Sequence, residues 1–391
     1  MYHVHDYDWM FADGVRTPAY LAAIARAIQA GDVVVEIGTG VGYFAVAAAR
    51  AGARHVYAIE MSPAVALGPA VAQANGCAER ITFVQGHSMR ITLPERGDVL
   101  LEDLRGILPL AGEHIASVID ARTRHLRPGA TIIPVRDTLW AAPAEADAAF
   151  RARHVTPGDA PHGIDRRAVD VVVRQNWYHA DLTREQLLAP PAQWGAIEFA
   201  TVTSTDVAGQ AEWTLDRAGI VEGIGVWFDT DLGFGCSFSN APGLPKTAYS
   251  RGFLPFPRAI GVRAGDRMRV EIRAALVEGD YVLAWDTVFE PLPGQGRAGE
   301  RFRQSNVGAV PTTLAQLMRR RDDHRPGRGA AAALLAELLA LADGARTLRE
   351  IAVELAAAHP ARFTDVTAAL RYATQALAQL EDEDAAGQPV R

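Results

Sequence analysis

The chain has 391 residues, 49% of them hydrophobic, and a formal net charge of −7. Its length exceeds what one core normally organises, so two or three units are expected. The acidic balance argues against a nucleic-acid partner, no apolar run reaches the roughly 18 residues of a membrane span, and Cys77 and Cys236 lack metal-ligand spacing, so no metal is expected.

The opening stretch MYHVHDYDWMFADG is polar and acidic, without the basic and apolar blocks of a secretory signal, which leaves the cytoplasm as the expected compartment. His3 and His5 have no third ligand near in sequence and read as solvated residues. From Arg16 onward helix and strand patterns alternate: a helix ending at Gly31, the strand DVVVEIG, the helix YFAVAAARAG, the strand HVYAIE, a helix through AVALGPAVAQANG, and the strands ITFVQG and GDVLLED. Short buried strands alternating with helices predict a doubly wound, Rossmann-like α/β domain over 1–140. Residues 141–165 are polar and read as an arm or linker. Over 166–305, segments such as VDVVV, AIEFATVTST, GIGVWFDTDL, RMRVEIRAALV and YVLAWDTVFE predict an all-β unit, with Trp213, Trp227 and Trp285 in its core. Residues 312–385 return to helix, in three short amphipathic segments on the scale of a winged-helix module. One opens with the capping box Thr347-x-x-Glu350, another at the N-cap candidate Thr364. The run Arg319–Asp323 reads as a solvated linker, and the acidic tail as a frayed end.

Val35-Glu36-Ile37-Gly38-Thr39-Gly40-Val41-Gly42 is where the first strand turns into a helix, so backbone N–H groups and a positive helix end converge on a ligand. A glycine turn after a strand can be only a tight turn. Glu36 before it and Glu60 at the next strand end favour a binding loop. The third glycine comes one residue too early for the dinucleotide pattern G-x-G-x-x-G, and no Gly-Lys-Ser/Thr follows as in a phosphate loop. An adenosine-type ligand without pyrophosphate is favoured, and S-adenosylmethionine fits.

The segments MFADGVRTPAYLAAI, VVVEIGTGVGYFAVAAARAGARHVYAIEMS, RITFVQGHSMRITLPERGDVLLED and RHLRPGATIIP resemble the protein arginine methyltransferase family in order and spacing. The resemblance continues through GIGVWFDTDLGFGCSFSNAPGLP and FLPFPRAIGVRAGDRMRV, roughly from residue 5 to 290, and implies a β-barrel substrate domain after the Rossmann-like one. It implies that Arg16 holds the methionine carboxylate of S-adenosylmethionine and that Met10 lies beside the sulfonium. Gly38, Gly40 and Gly42 would pass the methionine and ribose, Glu60 would bind the ribose, and Met61 and Ser88 would flank the adenine. Two glutamates around a guanidinium, Glu102 and Glu113, would be catalytic, and an arm after the first domain would make a homodimer.

The loop Glu102-Asp103-Leu104-Arg105-Gly106-Ile107-Leu108-Pro109-Leu110-Ala111-Gly112-Glu113-His114 departs from the family pattern. Its second acid is displaced by a residue or two, and Arg105 stands between the acids, where it can neutralise them or receive a substrate carboxylate in a forked hydrogen bond. The family's Thr-His-Trp is here Thr247-Ala248-Tyr249, so Tyr249 joins Arg105 as a substrate-side candidate. His87 and His114 lie close to the proposed site and are candidate bases. The C-terminal segment weakly resembles PqqD-like domains that bind leader peptides. A generic helical cap fits it as well.

These features lead to an S-adenosylmethionine-dependent methyltransferase acting on a side chain of a peptide or protein, in a setting such as peptide natural-product maturation. The rival readings are a methyltransferase of a small metabolite or carboxylate, and an inactive scaffold that keeps the cofactor and binds a peptide.

Overall fold

The computed structural model describes residues 3–153, 161–165, 167–294, 296–309, 318–319, 323, 325–327 and 329–377. They fall into a larger unit reaching Pro311 and a smaller one from Thr312 to Ala385.

The larger unit begins with α1 (Val4–Phe11), a helix that the polar start of the sequence did not announce, and α2 (Arg16–Ala27). A five-stranded sheet follows, made of β1 (Val33–Ile37), β2 (His55–Glu60), β3 (Ile81–Gln85), β4 (Gly97–Glu102) and β5 (Leu126–Ile133), with α3 (Tyr43–Ala51), α4 (Gly68–Ala74) and α5 (His114–Arg124) between strands. The strand order is β3-β2-β1-β4-β5 and every pairing is parallel. All of β1 is buried, as a continuous apolar strand covered on both faces requires. On α2, Tyr20, Ala23, Ile24 and Ala27 form the buried stripe of an amphipathic helix. After β3 the chain returns to the other side of β1 to form β4, so the strand order switches between β1 and β4. Ligands bind at the carboxyl ends of strands at such a switch point.

The antiparallel part contains β6 (Arg136–Ala144), β7 (Tyr178–Ala180), β8 (Ala192–Glu198), β9 (Val207–Thr214), β10 (Gly219–Gly233), β11 (Cys236–Ser239), β12 (Arg251–Val262), β13 (Arg267–Val277), β14 (Asp280–Glu290) and β15 (Glu300–Ser305). One sheet runs β7-β12-β10-β6-β8 with β11 on β10, the other β15-β14-β13-β9. This is the β-barrel domain, and Trp213, Trp227 and Trp285 are in its core. Its first strand is β6, whose Ala141–Ala144 pair with Gly223–Val226. The antiparallel unit therefore starts at Arg136, and the expected arm is shorter than 141–165. The part of that stretch after β6 contains α6 (Ala148–Arg153), and residues 154–160 lie outside the described residues. The VDVVV segment, expected as a strand, belongs to α7 (Arg167–Val173). There Asp170 is buried while Val169 and Val171 are exposed, so packing overrides the β-branched propensity.

In the smaller unit α8 (Ala330–Leu341), α9 (Leu348–Ala358) and α10 (Val366–Leu377) bury Leu334, Leu338, Ile351, Leu355, Ala369 and Ala373 against one another. The capping box forms: Glu350 N donates to Thr347 Oγ1 at 3.3 Å, and Thr347 N donates to Glu350 Oε2 at 2.8 Å. At α10 the cap is Asp365, whose Oδ1 accepts from Ala368 N at 2.8 Å, rather than Thr364. No strand occurs among the described residues of this unit, so a wing has no counterpart there. The acidic tail and most of the Arg319–Asp323 run lie outside the described residues.

Candidate active site

Gly38, Gly40 and Gly42 have φ of +79°, +58° and +90°, a left-handed backbone that only glycine adopts cheaply. Each also lacks room for a Cβ. At Gly38 it would strike Leu104, at Gly40 the Tyr7 ring at 2.5 Å, and at Gly42 the Phe83 ring at 2.6 Å. The turn is pinned by Gly38 N and Thr39 N, which donate to the Ile59 carbonyl at 2.9 and 3.1 Å. Glu60 holds it from the next strand, its Oε2 accepting from Gly40 N at 2.9 Å and its Oε1 from Ser62 N at 2.8 Å. Glu36 is buried beneath the turn and accepts from Thr39 Oγ1 at 2.7 Å. Burial pushes its carboxyl up to about 8, with the Thr39 hydrogen bond opposing and Glu60 adding to the rise.

The turn forms one wall of a cavity of about 540 Å³. Met10, Arg16, Glu36, Gly38, Glu60, Met61, Ser88, Glu102, Arg105, Glu113 and Tyr249 all line it, whereas Gly40 and Gly42 shape the turn from behind. Met61 is exposed, and Ser88 is buried with its carbonyl accepting from Arg124 Nη2 at 2.8 Å and His125 Nε2 at 3.0 Å.

Opposite the turn is a buried network of charged and phenolic side chains. Arg16 donates from Nε to Asp103 and, at 2.9 Å, to the Tyr249 hydroxyl, and from Nη1 to the Met10 carbonyl at 3.1 Å. The Tyr249 hydroxyl is 2.6 Å from both Asp103 oxygens. Arg105 donates in a fork to Asp137 at 2.8 and 3.2 Å, and from Nη1 to Asp103 Oδ1 at 2.9 Å and the Tyr20 hydroxyl at 2.6 Å. Four of its five N–H groups are thus engaged by protein acceptors, which ties Arg105 into the loop and leaves too few for a forked hydrogen bond to a substrate carboxylate. Burial alone would raise the Asp103 carboxyl, but Arg16 and Arg105 overcome it and hold the group below its ordinary value. Asp13 joins the two domains: its Oδ1 caps α2 by accepting from Val15 N and Arg16 N, each at 2.8 Å, and its Oδ2 accepts from Ala248 N at 2.6 Å.

The two glutamates of the loop differ in setting. Glu102, at the end of β4, is buried, and its Oε1 has no hydrogen-bond partner among the described residues. Its Oε2 accepts from Leu104 N at 3.2 Å and lies 2.9 Å from His114 Nε2, off the line of a well-formed hydrogen bond. Glu113 is at the rim, partly exposed, with Oε2 2.7 Å from His87 Nε2. Sequence reasoning missed Tyr7, Asp13, Tyr20, Asp103 and Asp137. Tyr20 and Asp137 meet Arg105 across 85 and 32 residues, and Asp13 and Asp103 reach the barrel loop at Ala248 and Tyr249, so local spacing does not mark these contacts.

The cavity fits S-adenosylmethionine: the turn has no room for side chains, an acid ends β2, and the α3 N-terminus faces the same space. The family described as Ribosomal protein L11 methyltransferase (PrmA) matches residues 16–133. An Arginine N(omega)-methyltransferase of Streptomyces achromogenes subsp. streptozoticus is 28% identical over 277 residues, 68% of this chain and 75% of the relative. A probable histone-arginine methyltransferase 1.4 of Arabidopsis thaliana is 29% identical over 276 residues, 66% of this chain, which spans 52% of that protein's length. Among solved structures, the Trypanosoma brucei PRMT1 enzyme-prozyme heterotetrameric complex with AdoHcy has a TM-score of 0.71 at 20% identity, covering 78% of this chain and 98% of its own. At that identity the likeness establishes the fold. With the glycine turn, its acids and the strand-end carboxylate in one cavity, the chain is an S-adenosylmethionine-dependent methyltransferase of protein-arginine-methyltransferase-like architecture.

Proposed function

We propose that the enzyme methylates the guanidinium of arginine in a peptide or protein substrate. The observation that carries this reading is Glu102 Oε1, a buried carboxylate oxygen without a partner in the cavity of the glycine turn. Such an oxygen is costly to bury unless a cation or donor meets it, and a guanidinium supplies both. Bound S-adenosylmethionine supplies the electrophilic methyl group. Glu102 orients the accepting nitrogen for in-line attack and draws on its proton, while Glu113 offers a second carboxylate at the rim. Arg105, held by Asp137, Asp103 and Tyr20, keeps the loop in place.

The test is incubation with labelled S-adenosylmethionine, an arginine-containing peptide and free L-arginine, read by mass spectrometry. Label on the peptide arginine is expected, and label on neither compound would overturn the reading. Glu102→Gln should lower turnover by about 10²–10⁴-fold while S-adenosylhomocysteine affinity changes little. The name of the Streptomyces relative, which specifies arginine and not protein arginine, favours a second reading in which a small molecule carries the guanidinium. Label on free L-arginine alone would select it.

Three further parts belong to the same proposal. A groove beside α2 and α3, lined by Phe11, Leu21, Ile24, Tyr43, Val46 and Ala47, supports docking of a second copy's arm and hence a homodimer. The smaller unit, with its own core and with Leu339, Leu348 and Val353 exposed, is assigned to recruiting the substrate peptide, which suits peptide natural-product maturation. The cytoplasm is the proposed compartment, and the net charge of −7 supports the absence of a nucleic-acid partner. Among the described residues no helix is long and apolar enough to cross a membrane.

A further inference from the structure

Glu102 closes β4 and His114 opens α5, and the loop between them folds back so that the imidazole meets the carboxylate. Nε2 lies 2.9 Å from Oε2, and both side chains are wholly inaccessible. The other ring nitrogen, Nδ1, is 3.2 Å from the Pro109 carbonyl oxygen. A carbonyl only accepts, so Nδ1 carries a hydrogen. A neutral ring with its hydrogen there turns a lone pair from Nε2 toward the carboxylate; the two atoms are off the line of a well-formed hydrogen bond, but at 2.9 Å in a buried site one proton on either the imidazole or the carboxyl removes their repulsion. The ring's face packs on Phe199, with centroids 5.3 Å apart.

The surrounding charges fix how many protons the pair holds. Arg16 and Arg105 face Asp103 and Asp137, and Tyr20 and Tyr249 contribute neutral hydroxyls. These two cations and two anions cancel. One proton shared by Glu102 and His114 makes the whole buried cluster neutral, which is the least costly state in a site closed to water.

We propose that His114 is a positioning residue that holds this proton for Glu102, and that the proton is exchanged for the substrate cation. The inference rests on the reading of a guanidinium as methyl acceptor. A guanidinium arriving at Oε1 displaces the shared proton into the cavity, the pair becomes the single negative charge that matches it, and rotation of the carboxyl takes Oε2 away from the Nε2 lone pair. As the N–CH₃ bond forms and the S–CH₃ bond breaks, with its electron pair remaining on sulfur, the nitrogen sheds one proton. Glu102 takes it up, and a half-turn of the carboxyl, whose terminal torsion is two-fold and soft, presents it to Nε2. His114 has no face open to solvent, so the proton leaves through the cavity when the next cation enters.

The experiment is titration calorimetry of the full chain loaded with S-adenosylhomocysteine, in two buffers of different ionisation enthalpy. The probe is whichever of L-arginine and the arginine peptide becomes labelled in the methyl-transfer assay. The wild type should release close to one proton per guanidinium bound. His114→Gln, whose amide can donate to Glu102 but holds no exchangeable proton, should release none, and its kcat should fall about 100-fold with KM changed far less. His114→Asn, with unchanged S-adenosylhomocysteine affinity as the sign of a folded site, repeats the comparison with a shorter side chain. Guanidinium binding without proton release by the wild type would overturn the inference alone, as would an unchanged kcat in a folded His114 variant. Absence of any arginine methylation would remove the functional reading and this inference with it.

Discussion

The two walls of the cavity are built by different means. The donor wall is backbone: three left-handed glycines between β1 and α3, pinned by the Ile59 carbonyl and by Glu60. The acceptor wall is side chains drawn from α2, the loop after β4, β6 and the barrel loop at Tyr249, joined by charge. A wall of backbone fails when a side chain is added. A wall of paired charges fails when one is removed.

The largest effect should follow removal of the shared anion. Asp103→Ala leaves Arg16 and Arg105 buried without their common counter-charge, and a loss of about 3–5 kcal/mol is expected in denaturant unfolding. A loss under about 1 kcal/mol would show that the acceptor wall is not held by charge. Gly38→Ala should cost about 1–2 kcal/mol from its backbone conformation. Its Cβ also strikes Leu104, so S-adenosylhomocysteine affinity should fall about tenfold or more. If kcat at saturating cofactor falls as well, the two walls are mechanically joined through Leu104, and the comparison needs redrawing. Glu36→Gln should show its effect against pH rather than at a single condition. The folded Glu36 carboxyl is pushed up to about 8, from an ordinary value of 4.5. Between those values the native state keeps a proton that the unfolded chain has lost, so the stability this proton brings is present at low pH and disappears as pH rises through about 8. Thermal melting of the ligand-free variant should therefore gain on the wild type as pH rises from about 5 to 8 and level off above it. A constant difference across that range would mean that Glu36 titrates like an exposed acid.

The same contrast explains what could be read from the sequence. The donor wall is nearly all local: Gly38, Gly40, Gly42 and the acid at Glu60 lie within one β-α-β unit, where spacing carries the information. Glu102 was legible because strand ends in such sheets point at ligands. Asp137 and Tyr20 were not, because Arg105 reaches them across 32 and 85 residues. A sequence read alone offered Arg105 either to the neighbouring acids or to the substrate, since the distant Asp137 and Tyr20 carry no local mark. VDVVV was read as a strand from its β-branched residues, yet those valines lie on α7 with Val169 and Val171 facing out and Asp170 facing in. Thr364 was taken as the helix cap where Asp365, its neighbour and an equally good capping residue, makes the bond.

Asp13 has one oxygen on the first turn of α2 and the other on the backbone of Ala248. The helix that carries Arg16 and the barrel loop that carries Tyr249 are thereby clamped to a single carboxylate. Loss of that one carboxylate would release the start of the helix and the barrel loop together.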